Sequence, residues 1–169
     1  NAVIHYTSFE QACKLLGNSM YGGSSHTAFF WFNMNIANDI TGEARNLIHL
    51  MEDFVPRAIK ENPEEVRKAY LKEGVEISDK SMDLYCIDTE DVIKSGDTDS
   101  LYLSHNQVVN AFPEGKDLTY EQKTQITVSL HKDFLDSANN EFMTNYYASR
   151  GVDSIHEFEL ETIASRGFW

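Results

Sequence analysis

The chain has 169 residues and a formal net charge of −13, with 14 Lys and Arg against 27 Asp and Glu. This length fits one folded domain, and no apolar run approaches the roughly 18 residues of a membrane-spanning helix. No basic-then-apolar stretch at the start of this sequence has the pattern of a signal peptide, and two cysteines without Cys-x-x-Cys spacing argue against a disulfide framework or a zinc site. We therefore expect a cytoplasmic protein with no membrane partner, and the acidic charge argues against broad contact with a phosphate backbone.

Two helices are predicted in the first third of the chain. The first begins near Thr7, which has capping-box spacing with the glutamate three residues later, and runs to about Met20 before Gly22 and Gly23. The second has apolar residues three and four positions apart, namely Ile36, Ile40, Ala44, Leu47, Met51 and Phe54. Pro56 is expected to kink or end this second helix.

Two further helices follow. A short, mostly charged helix is predicted from Asn62, as its cap, and Pro63, at its first position, to Gly74. A long helix is predicted over residues 120–149. Its buried stripe would consist of Leu130, Phe134, Ala138, Phe142 and Tyr146, widened by Leu135 and Met143.

Strand signals lie between these helices and at the end of the chain. The apolar runs Leu84–Ile87 and Val92–Ile93 precede an acidic turn, and Leu101–Leu103 follows it, which predicts a β-hairpin. Residues 155–163 alternate as a strand does. The expected fold class is α+β, with a small antiparallel sheet whose hairpin carries Asp-x-Asp and packs against long helices.

The acidic turn contains Asp97 and Asp99. In extended backbone, residues two apart point to the same side, so the two carboxylates can converge on one cation. Oxygen ligands without His or Cys favour Mg²⁺ or Mn²⁺ over zinc. An ordinary hairpin turn has the same composition. Aspartyl phosphatases and nucleotide-sugar transferases also use Asp-x-Asp, although Leu101 departs from the phosphatase pattern and no parallel α/β region supports a transferase.

A second polar signature lies on the first predicted helix. At 100° per residue, Lys14, Asn18 and Tyr21 fall within an arc of roughly 60°. The helix thus presents a cation suited to phosphate oxygens, an amide and a phenol on one side. A solvent-facing polar stripe would have the same spacing.

Together the two signatures resemble family B DNA polymerases. Lys14–Gly22 (KLLGNSMYG) is similar to the family's Lys-x-x-x-Asn-Ser-x-Tyr-Gly fingers motif, and residues 96–100 (GDTDS) are similar to its palm motif Tyr-Gly-Asp-Thr-Asp-Ser. Ile40–Arg45 more loosely resembles the Ile-Thr-x-x-Gly-Arg segment that follows the fingers motif. Residues 159–169 resemble the approach to the Lys-Lys-Arg-Tyr element of phage-type members, and the closest likeness is to polymerases of tailed phages or other large DNA viruses.

The resemblance implies a role for each matched residue. Lys14 would bind the triphosphate of the incoming deoxynucleotide, Asn18 would line the nucleotide pocket, and Tyr21 would pack under the nascent base pair. Asp99 would be a direct ligand of two catalytic Mg²⁺ or Mn²⁺ ions, and Asp97 would act close to the primer end. The implied partners are primer–template DNA and deoxynucleoside triphosphates.

The resemblance also implies a domain layout. Residues 1–23 would end a fingers helix and residues 24–169 would form the palm, with a peripheral insertion at 56–82. The exonuclease, the first palm motif and the thumb would be absent, so we expect a catalytically inactive fragment of an active polymerase. A sliding clamp would be reached through the missing regions, and the compartment would be the host cytoplasm. Ser95 replaces the tyrosine that usually precedes Gly-Asp-Thr-Asp.

One alternative of a different class stays open. The acidic chain could be a free-standing, non-catalytic module that binds a metal ion or a protein. Titration would favour that alternative if it showed Mg²⁺ or Ca²⁺ binding without binding of primer–template at low salt.

Overall fold

A computed structural model of the chain describes residues 2–97, 100–154, 157–158 and 160–164, with side chains from residue 8 onward except at position 10. The chain divides into two compact units, residues 1–47 and 48–169. The fold is mainly helical with a small two-stranded antiparallel sheet, which confirms the predicted α+β class. None of the described helices is both long and apolar enough to cross a membrane.

The first unit is built from two helices and the loop between them. Helix α1 spans Ala2–Ser25, and helix α2 spans Met34–Glu61, of which the residues up to 47 belong to this unit. Asn33 starts α2, because its side-chain oxygen accepts hydrogen bonds from the backbone N–H groups of Asn35 and Ile36 at 3.1 and 3.4 Å. This satisfies two of the donors that a helix start leaves unpaired.

Helix α1 continues through the glycines that were expected to end it. It extends to Ser25, beyond Gly22 and Gly23, so the predicted end near Met20 was wrong. Gly23 instead permits a close contact: a Cβ at this position would overlap the indole ring of Trp31, whereas a Cβ at Gly22 would meet nothing within 4 Å. The second glycine is therefore explained by packing, not by helix termination.

Helix α2 is likewise longer than predicted. It passes through Pro56 and ends at Glu61. A proline inside a helix costs a hydrogen bond, but Pro56 is buried among Val55, Ala58 and Ile59 of the second unit's core, and this burial outweighs the local preference.

Helix α3, Pro63–Lys72, lies within the predicted limits, with Pro63 in its first turn and Gly74 just beyond its end. Asn62 occupies the predicted cap position, but its side chain makes no capping bond and donates instead to the carbonyl of Ala58 at 2.8 Å. The helix is also not merely a charged surface element, because Val66, Ala69 and Tyr70 are buried in the core.

The sheet consists of β1, Ile93–Gly96, and β2, Leu101–Leu103, which run antiparallel. Ile93 pairs with Leu103 and Gly96 pairs with Leu101, with an irregularity between Ile93 and Ser95. The run Leu84–Ile87 forms no strand; it follows the short helix α4, Asp79–Met82, and precedes a 3-10 turn at Thr89–Asp91.

The predicted strand at 155–163 falls partly on Ile155, His156 and Glu159, which lie outside the described residues. Its described positions, 157–158 and 160–163, have no strand assignment.

The long C-terminal helix is confirmed but interrupted. It consists of α6, Tyr120–Leu130, a π turn, His131–Leu135, and α7, Asp136–Ala148. A π turn adds one residue to a helical turn. Beyond this turn the buried positions are Leu135 and Met143, which were predicted at the edge of the stripe, and Asn139 and Tyr147, each one residue beyond the predicted Ala138 and Tyr146.

A ring cluster holds the core of the second unit together. Tyr70 and Phe112 pack edge to face with centroids 5.3 Å apart, and Tyr85 contacts Phe112 at 5.2 Å. The Tyr70 hydroxyl donates to the carbonyl of Val108, in the short helix α5, Asn106–Val109, at 3.1 Å. Burial raises the pKa of both tyrosines above the usual value, so these hydroxyls act only as neutral donors.

Candidate active site

Helix α1 carries the three residues predicted to bind the nucleotide. Lys14, Asn18 and Tyr21 lie on one uninterrupted helix, so their spacing puts them on a common face, and all three side chains are exposed. The Ser19 hydroxyl donates back to the carbonyl of Leu15 at 2.7 Å. A Cβ at Gly17, one turn away from Tyr21, would meet nothing within 4 Å, so no packing contact with a described residue requires a glycine there.

Asp97 follows directly after β1 and is exposed. Its backbone N–H donates to the carbonyl of Ser100 at 2.9 Å, one step beyond the last strand pair. Thr98 and Asp99 lie outside the described residues, so the position of the Asp99 carboxylate and the Asp-x-Asp turn stay predictions.

The glycine of the acidic motif lies against helix α2. A Cβ at Gly96 would come within 2.7 Å of Glu52 Oε1 and 3.0 Å of Ile48 Cγ2. Glycine thus lets the end of β1 approach the helix closely. The other oxygen of Glu52 is 2.7 Å from His49 Nδ1. Sequence reasoning missed Glu52 and His49, because the only signal was their three-residue spacing on a helix, and nothing local predicted contact with the strand.

A polar network supports the start of β1. Asp91 accepts hydrogen bonds from Lys94 and, at 2.9 Å, from the amide of Gln107. The hydrogen bonds from Lys94 and then Gln107 hold the pKa of the Asp91 carboxyl below its usual value. The Gln107 carbonyl in turn accepts from the backbone N–H of Asp88 at 3.3 Å. Asp91 therefore remains ionised and fixes the segment that leads to Asp97.

The predicted divalent ion was tested against the side chains present. Within the described ranges, no group of three or more His, Cys, Asp or Glu side chains is arranged to hold a metal ion. Asp97 supplies an exposed carboxylate, the oxygen donor that Mg²⁺ prefers, and Mg²⁺ commonly needs only one or two carboxylates beside substrate phosphates. The donor chemistry fits Mg²⁺ or Mn²⁺, and the ligand set depends on Asp99.

An open groove of about 910 Å³ lies in the second unit, between α2 and the segment before β1. Its lining mixes acidic side chains such as Glu52 and Glu90 with Arg57 and Lys60, and it contains none of the four predicted site residues that the structure describes. The predicted residues divide between the units instead: Lys14, Asn18 and Tyr21 belong to the first, and Asp97 belongs to the second. Convergence of these two sets stays a prediction.

A helical pair with a polar face, and a small antiparallel sheet with an acidic residue at its strand end, define an α+β protein. Comparison with protein-family models finds DNA polymerase family B over residues 4–142. This match covers most of the chain and includes all five predicted site residues, and the chain belongs to DNA polymerase family B. No curated protein and no solved structure matches the chain.

Proposed function

We propose that the chain forms part of the fingers and the palm of a DNA-directed DNA polymerase and contributes the nucleotide-binding and catalytic groups of template-directed synthesis. The observation that carries the proposal is the family match over residues 4–142, which contains the lysine-bearing helix α1 and the strand end at Asp97. In the reaction, the primer 3′-hydroxyl attacks the α-phosphorus of a deoxynucleoside triphosphate, and pyrophosphate leaves.

Each side chain then has a defined task. Lys14 places a positive charge on the triphosphate, where it offsets the charge of the leaving pyrophosphate. Asn18 lines the pocket one helical turn away, and Tyr21 packs against the nascent base pair. Asp97 and Asp99 would hold the divalent ions. Bound Mg²⁺ or Mn²⁺ would activate the primer hydroxyl and stabilise negative charge on the phosphates.

The proposal includes the domain layout. Residues 1–23 complete a fingers helix, residues 24–169 form the palm, and 56–82 is a peripheral insertion. The first palm motif, the exonuclease and the thumb would be supplied by other parts of a longer polymerase of tailed-phage or large-virus type, through which a sliding clamp would be reached. The isolated chain would then be inactive, because one of the carboxylates that bridge the two ions would be missing.

Primer extension by the polymerase that carries this chain tests the proposal. Asp99→Ala should lower the extension rate by at least about a thousandfold, because removal of a metal ligand removes charge stabilisation in the transition state. Affinity for primer–template should change little. Asp83→Ala, which removes another exposed carboxylate of the second unit, is the matched control and should extend normally.

Near-normal extension by Asp99→Ala would refute the assignment of the acidic turn. Absence of both extension and primer–template binding in the unsubstituted polymerase, together with measurable Mg²⁺ or Ca²⁺ binding, would instead favour the non-catalytic acidic module.

A further inference from the structure

The loop between α1 and α2 exposes four consecutive aromatic side chains, Phe29–Phe32, which we call the aromatic loop. Phe30 is 91% exposed, and the other three side chains are between 39% and 49% exposed. Burying an aromatic ring of this size contributes about 1.5–3 kcal/mol, so a contiguous exposed set is unusual in a soluble protein and marks a binding surface.

The rings are held in a fixed arrangement. Phe30 and Trp31 meet edge to face with centroids 4.3 Å apart and an interplanar angle of 77°, and Phe29 lies 5.5 Å from Trp31. Trp31 packs directly on Gly23 of α1, where no other residue would leave room for the indole. Because Phe30 is the most exposed of the four rings, it keeps flat aromatic surface available for stacking.

Backbone hydrogen bonds fix the loop as well. The N–H of Phe32 donates to the carbonyl of Phe29 at 3.1 Å, and the N–H of Asn33 donates to the carbonyl of Ser24 at 2.9 Å. The loop is thus tied to the end of α1 at one side and to the capped start of α2 at the other. A surface ordered in advance loses less conformational entropy when a ligand binds.

The charge around the aromatic loop differs from the rest of the molecule. No Asp or Glu occurs between Glu10 and Asp39, and the segment contains Lys14. At the chain's average density, roughly four acidic residues would be expected in a segment of this length. In a protein with a net charge of −13, a segment without carboxylates opposes the approach of an anionic chain less than an average stretch of the sequence does.

We propose that the aromatic loop binds unpaired bases of a single-stranded nucleic acid by stacking, and that its ligand is the unpaired template strand. This inference rests on the proposed polymerase function for the identity of the strand. Single-strand sites combine exposed aromatic rings, which stack on bases, with surroundings that tolerate phosphates. An apolar protein partner would also be attracted to the rings, but such a partner does not explain why residues 11–38, which contain them, include no Asp or Glu.

Binding of labelled oligo-dT, compared with a blunt duplex of the same length at fixed salt, tests the proposal in the polymerase that carries this chain. Phe30→Leu keeps an apolar side chain but loses the aromatic face, and it should weaken oligo-dT binding by about five- to a hundredfold. Phe30→Tyr keeps the ring and should bind like the unsubstituted protein. Leu71→Ala, an exposed apolar residue in the second unit, is the control and should have no effect.

Photocrosslinking gives a second readout. Oligonucleotides with 5-iododeoxyuridine in the unpaired template overhang should crosslink to the peptide that contains Phe29–Phe32, and Phe30→Leu should reduce that crosslink. Unchanged oligo-dT affinity in Phe30→Leu, or crosslinks only to other peptides, would overturn the proposal and would indicate that another part of a protein covers the loop.

The outcomes separate this inference from the proposed function. If the polymerase extends primers but Phe30→Leu leaves oligo-dT affinity unchanged, the inference is wrong and the polymerase assignment stands. If no extension occurs but oligo-dT binding depends on an aromatic ring at Phe30, the polymerase assignment fails. The loop then binds single strands as proposed, but the proposal that its ligand is the template strand is wrong.

Discussion

At the scale of single residues, the second unit contains a pair of interior histidines. The Nε2 atoms of His105 and His131 lie 2.9 Å apart, so one ring must donate the hydrogen bond and the other must accept it as a neutral imidazole. Burial lowers the pKa of each histidine to about 4, and for His105 the neighbouring His131 adds to the effect. Acid should therefore disrupt this contact.

The first prediction concerns stability against pH. An unfolded histidine has a pKa of 6.5, so between pH 6.5 and pH 4 the unfolded chain binds protons that the native pair does not. The free energy of unfolding is then unaffected by these two histidines above pH 6.5, and it falls as the pH drops toward 4. At about 1.4 kcal/mol per pKa unit, each histidine should lower the free energy of unfolding at pH 5 by up to about 2 kcal/mol.

Urea unfolding at pH 7.5 and pH 5 measures this loss. The double variant His105→Leu and His131→Leu should lose much of the pH dependence, whereas exposed His26→Gln should keep most of it. An equally steep pH dependence in the double variant would show that the pair is not the cause.

At the scale of elements, predictions succeeded where the signal was local. Pro63 and Gly74 limit α3 as expected, because proline fits a first helical turn and glycine follows the last one wherever the helix packs. Predictions failed where distant contacts decided. Pro56 stays inside α2 because its neighbours are buried, and Gly23 serves the contact with Trp31 instead of ending α1.

Contacts between residues distant in the sequence also explain why the buried side of the long C-terminal helix was predicted incorrectly after Leu130. A constant period of 3.6 predicts that Phe134 follows Leu130 on the buried face, but the π turn puts Leu135 there. His131, at the start of this turn, contacts His105, which lies far from it in the sequence. Periodicity alone does not predict the extra residue of the π turn. Apolar side chains lie both in the predicted stripe, as at Phe142, and one residue later, as at Met143.

A deletion test follows for the π turn. Deleting exposed Lys132 should restore a four-residue spacing between Leu130 and Leu135 and keep the buried stripe of α7 in phase, although the contact of His131 would be perturbed. Deleting exposed Ser137 should instead rotate Met143 and Tyr147 about 100° away from the core. Chemical unfolding should show a loss of several kcal/mol more for the Ser137 deletion. Equal losses would contradict the phase argument.

At the scale of the whole molecule, the sequence motifs predicted the family that the family-model match shows, although the chain is acidic. The motifs succeed because catalysis constrains residue types and spacing directly, whereas overall charge reports the average of many surfaces. The acid-free stretch around α1 and the aromatic loop illustrates the difference. What the motifs leave open is the approach of α1 to the acidic turn, which depends on tertiary contacts rather than on spacing.

The central claim is that Lys14 and Asp99 serve one nucleotide–metal site. The most direct test is a double-mutant cycle on the affinity of Mg²⁺–deoxynucleotide for the polymerase bound to a chain-terminated primer–template, with Lys14→Ala, Asp99→Asn and both together. Because both side chains would act on the same triphosphate, we predict that the two effects are not additive, with a coupling energy of about 0.5–3 kcal/mol. Effects that add within about 0.5 kcal/mol would contradict a shared site.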